Sequence, residues 1–74
     1  MDDATRELAA IAAAIAGKCR PCFAHHLMRA RELGVGEDQI REAVELARNI
    51  RSSGDSQIDE FADGRMQGRV EGTE

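Results

Sequence analysis

Small apolar residues recur along this chain at the spacing of an α-helix, and glycines punctuate them, so the sequence points to a bundle of short helices. Leu8, Ile11 and Ile15 fall three and four apart, with Ala12 in the same stripe. Phe23, His26, Leu27, Ala30 and Leu33 form a second stripe. Ile40, Ala43, Val44, Ala47 and Ile50 form the third and cleanest one. Gly17 and Gly34 stand at the breaks, where a helix commonly ends.

The spacing predicts a first helix over 3–17, with Asp3 or Asp2 accepting the free amide hydrogens of its first turn. A second helix is expected from Cys19 or Arg20 to Leu33. Its Pro21 sits in the first turn, where a missing amide hydrogen does no harm. Gly36-Glu37-Asp38 opens a third helix with acidic residues where the helix dipole favours them, and Arg48 and Arg51 suit its far end. Ser52-Ser53-Gly54-Asp55 reads as a linker, followed by a short helix over 56–66 capped by Ser56. The expected organisation is one all-α domain of three to four helices over residues 1–66, with a flexible tail over 67–74.

A chain of 74 residues buries a small core, and its only aromatic residues outside histidine are Phe23 and Phe61. Alanine supplies much of its 42% hydrophobic content, so several copies pooling their apolar faces are expected. A net charge of −4 leaves no basic stripe for nucleic acid or an anionic membrane. No apolar run approaches the ~20 residues of a membrane span. Met1-Asp2-Asp3 has the wrong charge for a signal peptide, so the expected location is the cytoplasm, where cysteines stay reduced.

The chemistry concentrates in Cys19-Arg20-Pro21-Cys22-Phe23-Ala24-His25-His26. A thiol reacts as its thiolate, and three features favour that form here. Partial positive charge and unpaired amide hydrogens gather at the helix start. Arg20 lies between the thiols. His26, one turn beyond Cys22, shares its side of the helix and is placed to take a proton. A second cysteine three positions away captures an oxidised sulfur as a disulfide before over-oxidation.

On these residues the sequence resembles the alkylhydroperoxidase D-like, or carboxymuconolactone decarboxylase-like, superfamily. Its redox members carry a glutamate, a Cys-x-x-Cys twelve positions later, then three residues and a histidine. Glu7, Cys19, Cys22 and His26 match all four positions, and Leu33-Gly34-Val35-Gly36-Glu37-Asp38 resembles the family's turn into its next helix. The resemblance covers roughly residues 4–51. It implies an all-helical fold assembled as a trimer or hexamer, and an enzyme that reduces hydroperoxides through a sulfenic acid. It implies Cys22 as the attacking thiol, Cys19 as the resolving thiol, and Glu7 with His26 as the proton relay. A thiol- or lipoyl-bearing protein would be the reducing partner, with no cofactor beyond the cysteine pair. Chemistry alone leaves the thiol roles open, because the cysteine at a helix start is typically the exposed attacker. The chain departs from some members in carrying Arg20-Pro21 where they have a further histidine.

Other readings compete. Glu7 alone reads as a solvated helix residue, and His26 alone as a satisfied core histidine. His25 and Arg20 read as surface residues, Arg41, Glu42, Glu45 and Arg48 as a wet face, and Met28 and Met66 as packing. The rival class is a zinc module using Cys19, Cys22 and His26 with His25 or Glu7. Against it, structural zinc sites usually draw ligand pairs from two separated segments, and this chain has one pair. Disulfide exchange without peroxidase activity, or a non-catalytic helical oligomer, completes the alternatives.

Overall fold

A computed structural model of the protein describes residues 1–68, and within them the fold is three α-helices with no strand. Helix α1 spans Asp3–Ala16, α2 spans Arg20–Glu32 and α3 spans Glu37–Gly68. Helix α1 is the central element: it packs against both α2 and α3, which scarcely touch each other.

Asp2 caps α1, its carboxylate accepting the Thr5 amide hydrogen at 2.7 Å. That bond holds the Asp2 carboxyl below its ordinary range. Ile11 and Ala30 are fully buried, and Val35 and Ile40 complete the core between them. Leu8, Phe23, Leu27, Ala43 and Val44 close over this core. Burying an isoleucine such as Ile11 contributes about 2–3 kcal/mol. The buried line of α1 is Glu7, Ile11 and Ala14, rotated one residue from the expected Leu8–Ile11–Ile15 stripe. In α2 the stripe holds except at Leu33, which is 41% exposed. The helix has ended at Glu32, and Val35 takes the buried place after the turn.

Both inter-helix turns use one hydrogen-bond pattern. After α1, the Lys18 amide donates to Ile15 O at 3.2 Å and the Cys19 amide to Ala14 O at 2.9 Å. After α2, the Gly34 amide donates to Arg31 O and the Val35 amide to Ala30 O, each at 3.0 Å. This is the Schellman arrangement, whose pivotal residue is left-handed. Gly34 fills that role with φ 81°, whereas in the first turn it falls on Lys18, φ 58°, and not on Gly17.

The largest difference from expectation is α3. No linker interrupts it at Ser52-Ser53-Gly54-Asp55 and no separate helix starts at Ser56. Serine and glycine are weak helix formers, but neither removes a backbone hydrogen bond as proline would, so the ladder runs through. Gln67 and Gly68 are its last residues, and the rest of the expected tail lies outside the described residues. Thirty-two residues make a rod of about 48 Å, in a molecule of 56 × 20 × 19 Å. The body ends where Arg51 Nη1 donates to Ile15 O at 3.0 Å. The α3 stripe therefore loses its cover at Ile50, which is 60% exposed. Met28 and Met66 are likewise exposed rather than packed. Among the described residues no helix is long and apolar enough to cross a membrane.

Candidate active site at the start of α2

The turn after α1 delivers Cys19 to the N-cap of α2 in an extended conformation. Its sulfur accepts the Cys22 amide hydrogen at 3.3 Å, as a capping side chain does. Pro21 lies in the first turn, as its fixed φ favours. Cys19 and Cys22 form a disulfide, with Cα atoms 5.3 Å apart. Cys22 is exposed and Cys19 half-buried, the reverse of what the helix-start argument alone favours for an attacking Cys19.

One turn beyond Cys22, His26 forms a pair drawn from two helices. His26 Nδ1 donates to Glu7 Oε1 at 2.6 Å. The Glu7 side chain is 8% exposed and that of His26 31%. Glu7 is buried because it occupies the core-facing line of α1, four residues before Ile11. A buried carboxylate needs a partner, and His26 supplies one. Because the carboxylate accepts from Nδ1, the Nε2 lone pair of the neutral ring is left to take a proton. The geometry thus brings Glu7 and His26 together and sets His26 one helical turn beyond Cys22.

His25 is exposed, its ring edge-on to His26 with centroids 4.8 Å apart. It does not join the hydrogen bond to Glu7. Among the described residues, no three His, Cys, Asp or Glu side chains converge as a metal site requires.

An open cavity of about 900 Å³ borders Cys19, between the end of α1, the start of α2 and Arg51. Lys18, Arg20 and Arg51 bring three cations to its largely apolar walls. Lys18 and Arg51 escaped the sequence reading. For Lys18 the available signal is its adjacency to Cys19, whereas Arg51 reads as a helix-end cation because only the docking of α3 on α1 brings it here.

The fold and site define a small three-helix protein with a Cys-x-x-Cys disulfide at a helix start and, one helical turn on, a part-buried glutamate–histidine pair. The model of the carboxymuconolactone decarboxylase family matches residues 1–51, and the chain belongs to that family. The matched segment ends at Arg51, where α3 leaves the body. Comparison with curated proteins and with solved structures returned no match.

Proposed function

We propose that this protein is a thiol-dependent hydroperoxide reductase. The observation that carries the reading is the 2.6 Å His26–Glu7 hydrogen bond, one turn beyond Cys22 on α2. Burying a carboxylate is costly, buried ionisable pairs of this kind cluster at functional sites, and this one orients a proton acceptor one helical turn beyond Cys22.

In the reduced protein, His26 takes the proton of Cys22 at Nε2 while Glu7 holds the Nδ1 proton. The amide hydrogens and dipole at the start of α2 favour the resulting thiolate. The Cys22 sulfur attacks one peroxide oxygen, the O–O bond breaks, and the departing alkoxide takes the proton from His26. The products are a Cys22 sulfenic acid and an alcohol. The Cys19 thiol then displaces water from that sulfenic acid and closes the disulfide. The exposure of Cys22 and the capping position of Cys19 support this division of roles. A dithiol protein, of thioredoxin or lipoyl type, returns two electrons and two protons by exchange in a reducing compartment such as the cytoplasm.

The test treats the anaerobically reduced, metal-free protein with one equivalent of cumene hydroperoxide, following free thiols and intact mass. Both thiols should disappear within seconds, with the loss of two hydrogens and release of one alcohol per chain. Glu7→Gln keeps an acceptor for the Nδ1 proton but removes the charge, and should slow the reaction about 10- to 100-fold with helicity unchanged. Oxidation no faster than that of a free cysteine would overturn the reading.

A further inference from the structure

Two features of the single chain lack partners, and each has the chemistry the other needs. One is the part of α3 beyond Arg51. Residues 52–67 are all exposed, including Ile58 at 59% and Phe61 at 57%. At 100° per residue, Ile58, Phe61 and Ala62 fall on the same side of α3 as Ile40, Ala43, Val44 and Ala47. The arm therefore extends an established packing face past the end of its cover. It contains Ser52, Ser53, Gly54 and Gly64, so intrinsic propensity does little to hold it as a free helix in water. Asp55, Asp59, Glu60 and Asp63 against Arg65 give it a net charge of −3, four acids less one base.

The other feature is the cavity beside Cys19. Its walls include Ile15 and Phe23, and Lys18, Arg20 and Arg51 stand around it. None of these three cations is ion-paired among the described residues, while Arg29, Arg31 and Arg48 each pair with a neighbouring glutamate. In a chain of net charge −4, an apolar cavity with three unpaired cations suits an acidic amphipathic helix.

We propose that the α3 arm of a second copy docks in this cavity, seating Ile58 and Phe61 on its apolar walls and its acidic residues against Lys18, Arg20 and Arg51. Two arms lying on each other would set acid against acid, which opposes that alternative. A chain cannot fill its own cavity, because α3 leaves the body at Arg51 as one continuous helix. A closed assembly in which each copy gives one arm and receives another leaves no arm bare. The neighbour's helix then walls the Cys19 side of the disulfide. The proposal concerns assembly and stands independently of the peroxide chemistry.

The experiment places p-benzoylphenylalanine at position 61 of the full chain and irradiates it. A product of two chains, with the link mapped to residues 14–24, is the expected result. The absence of a two-chain product, or a link from arm to arm, overturns the proposal. Sedimentation velocity provides a second measurement that needs no bulky probe. Lys18→Glu with Arg20→Glu should weaken self-association about tenfold or more, and adding Asp55→Lys with Asp59→Lys should recover most of it. Unchanged association in the first variant, or no recovery in the second, overturns the proposal equally.

Discussion

The two turns of this fold share a hydrogen-bond pattern and differ in everything that holds them. The turn after α2 places Gly34 in the left-handed conformation, which glycine adopts at no steric cost. Val35 follows it into the core, and a two-point ion pair spans it. Arg31 Nε donates to Glu37 Oε2 at 2.7 Å and Nη2 to Oε1 at 2.9 Å. The turn after α1 places Lys18 in the same conformation, where a Cβ costs roughly 1–2 kcal/mol. Cys19 follows it, half-buried, and the support comes from Arg51 of α3. One turn is built for stability. The other carries backbone strain directly beside the disulfide, and in return sets a cation next to Cys19. Strain of this kind concentrates at functional sites.

The contrast is sharpest at the left-handed positions. Gly34→Val should cost about 2 kcal/mol, read as a lower urea midpoint at unchanged slope, because a β-branched residue there is a strong outlier. Nothing lies within 4 Å of the added Cβ, so the loss is conformational rather than steric crowding. Lys18→Gly should go the other way and gain about 0.5–1 kcal/mol, the relief being partly offset by a freer unfolded chain. A destabilised Lys18→Gly protein would show that the side chain contributes more than its backbone costs, and the comparison would fail.

The smallest effect is in acid. Bonding to Arg31 holds the Glu37 carboxyl below its ordinary range, as the Thr5 amide does for Asp2. A carboxyl lowered on folding stabilises above its unfolded pKa, and that contribution fades as pH falls through the lower folded value. Both groups are exposed, so the loss should be slight and confined to the region below the usual carboxylate range. Hydrogen exchange from pH 5 downward should show the Gly34 turn loosening in wild type and no such change in Glu37→Gln.

What could be read from the residues follows from how local each cause is. Asp2, Pro21 and Gly34 act on their immediate neighbours, and their helix boundaries came out within a residue. The Glu7–His26 pair joins two helices, and only the spacing shared with a known family brought it forward; on its own, Glu7 reads as a solvated residue. The stretch Ser52–Ser56 misled because its composition is that of a linker, while the helix persists through weak formers that contain no breaker. Leu33 and Ile50 fit their stripes by periodicity, but periodicity does not say where the opposing helix stops. Exposure of Cys22 rather than Cys19 depended on the turn geometry, which places the first sulfur in the capping position.

The Arg51–Ile15 bond gives the long helix a fulcrum. About 25 Å of rod projects beyond it, and a tilt of about 10° there would move the tip by roughly 4 Å. The fulcrum rests on the last turn of α1, whose carbonyls also hold Lys18 and Cys19. Leverage applied far out on α3 is therefore delivered to the loop that bears the first sulfur.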